Sequence, residues 1–170
     1  AHATGGGSPP GEGTLLVGAA SRTVLPLVNG SHAYLKAGFP GRHDRYDPGL
    51  LVPAWDDGRI AVGNGEPDSH WVHDDVRATA MAIDDPRSRH IVVIVASDLY
   101  MVFRHDGDAI RQKAAALLPR GIAKKLKVVI TATHNHHGPD TAFDVNHDWY
   151  EYMTGQMARA AATGSPSCAA

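Results

Sequence analysis

The chain has 170 residues, of which 43% are hydrophobic, with a mean hydropathy of -0.23 and a formal net charge of -2. This length and composition indicate one globular domain, or the front part of a larger one, with a real core. The near-neutral charge and the lack of a basic run argue against nucleic-acid binding, and no apolar run reaches the roughly 18–20 residues that span a bilayer. Cys168 is the single cysteine, which excludes an intramolecular disulfide.

Both ends of the sequence are low in complexity. Residues 1–13 begin with Ala-His-Ala and continue into a Gly- and Pro-rich run, which predicts a disordered linker or a processed N-terminus. The Ala-x-Ala triplet is typical of a signal-peptide cleavage region and favours a secreted protein, although an arbitrary boundary gives the same pattern. Residues 161–170 predict a low-complexity tail, so we expect the domain at residues 14–160.

Three strands are predicted before the first helix, at residues 14–20, 76–83 and 90–96. A turn at 84–88 joins the last two into an antiparallel hairpin, because Asp and Ser bond back to the backbone and Pro presets φ. The third strand is continuously β-branched, which predicts burial on both faces. Between them, residues 21–75 are rich in Gly, Pro, Asp and His, and so long an irregular stretch predicts a binding surface.

A helix and a fourth strand follow the hairpin. Asp106 or Asp108 is expected to cap a helix whose apolar side carries Ile110, Ala114, Leu117 and Leu118. Pro119 and Gly121 end it, and residues 128–132 form a short buried strand. Strand, helix and strand within about forty residues predict a βαβ unit with parallel strands. The fold class expected is therefore α/β, with a mixed sheet that forms the N-terminal part of a larger catalytic domain.

The end of the fourth strand carries the densest chemistry of the chain. The run from Thr133 to Pro139 contains His134, His136 and His137 before a Gly-Pro turn. If the backbone is still extended there, the two-residue period puts His134 and His136 on one face and His137 on the other. Paired imidazoles at a strand end are a common start of a metal site, but catalytic zinc usually has three protein ligands. Polar loop histidines without function are the alternative.

Two further clusters lie near this motif in the predicted topology. Asp98 directly follows the third strand, and the carboxyl ends of parallel strands meet at one edge, where ligands bind in open α/β sheets. Asp98 is therefore a candidate for this edge, or else a turn or helix-cap carboxylate. His70 and His73 form a polar cluster that either lines the same edge or lies in an ordinary loop. Residues 146–160 predict a helix with a core stripe of Trp149, Met153 and Met157.

The histidine motif resembles that of the neutral/alkaline, non-lysosomal ceramidase family of zinc amidases. The family's T-H-x-H-x-G-P motif after a buried strand is matched in full by residues 133–139. Weaker similarities accompany it in the family's order, at residues 17–20, 73–78 and 93–99. The resemblance covers roughly residues 15–160.

This resemblance implies zinc-dependent hydrolysis of an N-acyl amide bond. By similarity, His134 is the first Zn²⁺ ligand, and His136 is a catalytic neighbour that orients the substrate or stabilises the developing oxyanion. Asp98 and His73 are expected in the surrounding shell. The partners implied are a lipid or N-acyl amide substrate and peripheral contact with a membrane surface. Family members are several hundred residues long, and their other ligands, a second His, a Glu and a Tyr, come far downstream of this motif.

Two alternatives to this hypothesis stay open from the sequence. A metallo-β-lactamase-type hydrolase also ends a strand in T-H-x-H, but that family continues with an Asp-His pair, where this chain has His137-Gly138. The second alternative is a non-catalytic, truncated remnant or a metal-binding domain.

Overall fold

The computed structural model describes residues 14–25, 75–143, 145 and 147–165, and within them a four-stranded mixed sheet. The strands lie in the order of the chain, and the elements are β1 (Leu16–Thr23), β2 (Arg77–Asp84), β3 (Ile91–Ser97), α1 (Arg104–Ala116), α2 (Arg120–Ala123), β4 (Leu126–Ala132) and α3 (His147–Thr163). β1 and β3 both pair antiparallel with β2, whereas β3 and β4 are parallel. The predicted α/β class, the hairpin and the βαβ unit are confirmed.

The turn of the β2–β3 hairpin forms as its residue types predict. The Asp85 side chain accepts a hydrogen bond from the backbone N–H of Arg87, and His90 donates its backbone N–H to the Ser88 hydroxyl. The guanidinium of Arg87 also bonds the carboxylate and lowers the pKa of Asp85. Local side-chain bonds therefore fix the register of the two central strands.

Helix α1 begins earlier than the sequence predicts. Its first residue is Arg104, and neither Asp106 nor Asp108 is the N-cap. Asp106 instead occupies the third helical position and accepts the backbone N–H of Phe103 at 2.7 Å, which is half of a capping box. Ile110 and Ala114 are buried as expected, but Leu117 is exposed because the helix has ended by that residue.

Helices α1 and α3 pack on the same face of the sheet and build the core. Alternate residues of the strands point toward them, including Ala78, Ala80, Val93, Val95 and Val128. The predicted core stripe of Trp149, Met153 and Met157 on α3 is confirmed, and α3 runs on to Thr163. The two helices are joined by Lys113 of α1, whose ammonium group bonds the Glu151 carboxylate and the Thr154 hydroxyl.

The opposite face of the sheet corrects the prediction of burial on both faces of β3. In that strand buried and exposed residues alternate, and Val92 and Ile94 keep 38% and 37% of their surface exposed. Within the described residues both long helices cover one face only, so the apolar side chains on the second face lie open. The β-branched residues predicted the strand correctly, but they did not predict which of its faces is buried.

A buried carboxylate links the two long helices beside their ends. Asp106 of α1 is buried, and its carboxylate acts on the phenol of Tyr150 on α3. Burial of the phenol, and then its hydrogen bond to Asp106, raise the pKa of Tyr150 to about 12.

No helix in the described part of the chain is long and apolar enough to cross a membrane.

Candidate functional site

Four strand ends meet at one edge of the sheet. The pairings Thr23 with Arg77, Ala78 with Ser97 and Ser97 with Ala132 place there the carboxyl ends of β1, β3 and β4 and the start of β2. The chain leaves β1 and re-enters at this edge, where the N–H of Val24 donates to the Val76 carbonyl at 2.8 Å. Whatever chemistry follows β3 and β4 is therefore brought together here.

Two loops, one after β3 and one after β4, are joined by hydrogen bonds at this edge. Thr133 N–H donates to the Ser97 carbonyl at 2.9 Å, and Asn135 N–H to the Leu99 carbonyl at 3.2 Å. The Asn135 side-chain amide also donates to the Asp98 carbonyl at 3.4 Å. The two loops are thus one unit, and the residues after β3 set the shape of the histidine motif.

His134 departs from the extended conformation on which its predicted orientation depended. β4 ends at Ala132, and His134 has a φ of 65°, the only positive value at a non-glycine residue in the described chain. Such a left-handed residue costs on the order of 1–3 kcal/mol and persists only where its surroundings enforce it. The hydrogen bonds of Thr133 and Asn135, its two neighbours, supply that enforcement.

The two candidate histidines nevertheless lie side by side. The ring centroids of His134 and His136 are 4.7 Å apart, with the ring planes nearly perpendicular at 88°. A turn over His136 and His137, not strand alternation, brings them together. The predicted pair is therefore present, although the geometry that predicted it is wrong.

Tyr100 lies against both imidazoles. Its ring centroid is 4.7 Å from that of His134 and 4.3 Å from that of His136, and only 7% of the residue is exposed. Its backbone carbonyl is 3.1 Å from Nδ1 of His134. Because a carbonyl can only accept, this contact requires a proton on Nδ1 and leaves Nε2 unprotonated in the neutral ring.

The other predicted site residues lie in different positions relative to this pair. Asp98 is at the predicted edge, but its carboxylate accepts the backbone N–H of Arg77 at 3.2 Å, and it contacts the histidine loop through its carbonyl. His137 is exposed, and its N–H donates to the Asn135 side-chain oxygen. His70 and His73 lie outside the described residues, so their placement stays a prediction.

Three residues of this edge were missed by the sequence analysis: Tyr100, Asp140 and Thr141. Asp140 is 1% exposed and accepts the backbone N–H groups of Ala142 and Phe143, while the Thr141 hydroxyl accepts the N–H of Met101 at 3.0 Å. The signal for Tyr100 was present, since it follows the same strand end as Asp98. Asp140 and Thr141 gave a weaker signal, as polar residues directly behind the Gly-Pro turn.

The donor atoms at this edge fit part of a zinc site. Imidazoles are common zinc ligands in proteins. A carbonyl group that sets the tautomer of a ligating histidine is a common outer contact of such a site. Among the described residues, no group of three or more His, Cys, Asp or Glu side chains could hold a metal ion. The pair therefore needs at least one more ligand from outside the described ranges to make a catalytic zinc site.

The fold is similar to that of a solved structure described as a ceramidase complexed with C2. The TM-score is 0.52, and the sequences are 16% identical over 90% of this chain. The chain spans 21% of the length of that ceramidase chain. No family model and no curated protein matches the sequence. At this identity the comparison establishes a shared fold.

Proposed function

We propose that this chain is part of a zinc-dependent amidase of the ceramidase type, which hydrolyses the N-acyl bond of a lipid amide. The observation that carries the proposal is the His134–His136 pair, with ring centroids 4.7 Å apart, at the end of a parallel strand. The similarity of the fold to that of a ceramidase supports it, as does the resemblance of residues 133–139 to the ceramidase motif. The first of these supports concerns the whole fold, and the second concerns one loop.

The residues present suggest a division of roles. His134 would hold the zinc through Nε2, the nitrogen left unprotonated by the contact of Nδ1 with the Tyr100 carbonyl. A bound zinc ion supplies a water of lowered pKa and polarises the amide carbonyl. His136, beside it, would donate a hydrogen bond to the substrate carbonyl oxygen as negative charge develops there. Asp98 would act through the loop that it braces and not by contact with the substrate.

Zinc retention tests this proposal directly. The purified 170-residue chain is dialysed against metal-free buffer beside its His134→Ala and His137→Ala variants, and zinc is measured by elemental analysis. Any zinc that the unsubstituted chain retains should also be retained by His137→Ala and be lost from His134→Ala. His137 is the matched control because it is an exposed imidazole in the same loop.

The length of the chain sets how the result is read. Because the chain spans about a fifth of the ceramidase to which it is similar, the remaining ligands can belong to a part of such an enzyme that these residues do not include. Retained zinc would be followed by assay of N-acyl amide hydrolysis. Absence of zinc in all three proteins, also when any continuation of the coding sequence is included, would favour a non-catalytic remnant.

A further inference from the structure

We propose that Tyr100 is the positioning residue of the histidine pair, which holds His134 in one tautomer and both rings in one relative orientation. This inference rests on the proposed function for its purpose, but not for its geometry. The residue is assigned no role by the histidine motif, from which it is separated by more than thirty positions.

The first argument is the hydrogen bond of His134. Its Nδ1 lies 3.1 Å from the Tyr100 carbonyl, and a neutral histidine in water would otherwise exchange the proton between its two nitrogens. An acceptor fixed at Nδ1 selects one tautomer, as the carbonyl partners of metal-binding histidines do. Nε2 then carries the lone pair without any rearrangement when a cation arrives.

The second argument is the shared ring contact. His134 and His136 are exposed side chains in the loop after β4, where rotamer freedom is the expected state. The Tyr100 ring contacts both, at centroid distances of 4.7 and 4.3 Å, and it is itself buried. One fixed aromatic surface thus restricts two imidazoles together, which neither imidazole could do for the other.

The third argument is that the position of Tyr100 is itself fixed from both sides. The preceding Leu99 accepts a hydrogen bond from Asn135, and the following Met101 donates one to Thr141. Both partners belong to the loop that carries the histidines. Tyr100 is therefore held at the centre of the two-loop unit, so its carbonyl and ring keep their places relative to His134.

The test compares Tyr100→Phe with Tyr100→Leu in the metal-free chain. Nitrogen NMR of histidine-labelled protein is recorded at a pH about two units above the ordinary imidazole pKa of ~6.5. The chain has 11 histidines, so the His134 signals are identified by their loss in His134→Ala. Phe keeps the ring, whereas Leu keeps a buried apolar side chain without it, and thermal unfolding confirms that both variants fold.

We expect all three proteins to show the His134 tautomer protonated at Nδ1, because the backbone carbonyl of residue 100 remains in each of them. Only Tyr100→Leu should show increased mobility of the His134 ring, because it alone lacks the aromatic contact. Zinc affinity should fall by ~10–100-fold in Tyr100→Leu and stay unchanged in Tyr100→Phe, the range found for outer contacts of metal ligands. Mobility of the His134 ring that rises in Tyr100→Leu but not in Tyr100→Phe supports the inference even if no protein retains zinc, in which case only the proposed function fails. Protonation at Nε2 in the unsubstituted chain, or a His134 ring that is equally ordered in Tyr100→Leu, would overturn it.

Discussion

Trp149 on α3 donates its indole N–H to the backbone carbonyl of Val24 at 2.8 Å, across 125 residues of sequence. The bond is buried and lies just beyond β1, at the edge where the histidine motif is found. It ties the helix that covers the sheet to the strand ends that carry the site. The same hydrogen bond therefore contributes to the packing of the core and to the position of the strand ends that carry the site.

Loss of this bond should destabilise the fold. Trp149→Phe keeps an aromatic ring but leaves the Val24 carbonyl without its donor, which costs about 1–3 kcal/mol for a buried group. Urea unfolding followed by far-UV circular dichroism measures the change in the free energy of unfolding. Phe143→Leu is the control, since Phe143 is 67% exposed and its replacement should change stability by less than about 0.5 kcal/mol.

The left-handed backbone at His134 predicts an unusual order of variant stabilities. At a φ of 65°, glycine is tolerated without steric cost whereas alanine is not, so His134→Gly should be more stable than His134→Ala by about 1 kcal/mol. Both variants lose the imidazole, so the comparison isolates the backbone. Ala96→Gly in β3 serves as the opposite control, because glycine in an ordinary strand destabilises by roughly 0.5–1 kcal/mol. Equal stability of the two His134 variants would refute the left-handed conformation.

The hydroxyl of Thr141 should matter for both stability and metal binding. Thr141→Val keeps the shape but removes the acceptor of the Met101 N–H, and we expect a loss of about 1–3 kcal/mol in unfolding free energy. Thr141→Ser retains the hydroxyl acceptor, so its free energy of unfolding should fall by less. If Thr141 holds the loop that carries Tyr100, zinc affinity measured by competition with a chelator should follow the same order. Unchanged zinc affinity in Thr141→Val would show that the hydrogen bond between Thr141 and Met101 does not affect the metal site.

Tyr150 gives a prediction for alkaline pH. Its pKa in the folded protein is raised to about 12, mainly by burial and next by the hydrogen bond to Asp106, whereas an unfolded tyrosine has a pKa of ~10. The folded state thus binds the proton more tightly, so this contribution to stability is complete below pH ~10 and is lost as the pH rises through about 12. The chain has five tyrosines, and the difference in tyrosinate absorbance between the unsubstituted chain and Tyr150→Phe isolates this group. A Tyr150 that titrates near the ordinary tyrosine pKa of ~10 would contradict the buried contact.

The open face of the sheet can be tested against the covered one. Met81, Ile94 and Val129 form an exposed row across three strands, paired by register. Ile94→Thr should therefore change stability little and reduce binding of a hydrophobic dye, because an exposed apolar row attracts such ligands. Val93→Thr, on the covered face of the same strand, buries a hydroxyl and should cost about 1–3 kcal/mol. A similar cost for both would show that the open face is buried in solution.

Local patterns in the sequence predicted most of the fold. The apolar runs of β2, β3 and β4 and the turn at Asp85 are short-range signals, and they specified the hairpin and the parallel pair. The sequence did not reveal that, within the described residues, helices cover only one face of β3, because β-branched residues fit a pleated strand whether or not a second layer is present. The start of α1 was missed because Asp106 stabilises the first turn from inside the helix and not from its cap.

The candidate site was predicted in composition but not in conformation. The spacing of His134 and His136 suggested a pair, and the pair exists, yet a left-handed residue and a turn produce it where an extended strand was assumed. Tyr100 could not be found from the motif, since its contact depends on two loops that are distant in sequence. Parallel pairing of β3 and β4 was the one prediction that pointed to that contact.

The backbone conformation of His134 also limits how far the histidine motif can be transplanted. A protein designer who grafted residues 133–139 onto the end of another parallel strand would copy both imidazoles. The graft would lack the Ser97 and Leu99 carbonyl groups that hold the backbone on either side of His134. Without those acceptors the left-handed residue would relax toward the extended region that an L-amino acid prefers, and the two rings would lose their spacing. The smallest portable unit is therefore the pair of loops with the parallel strands β3 and β4 that align them.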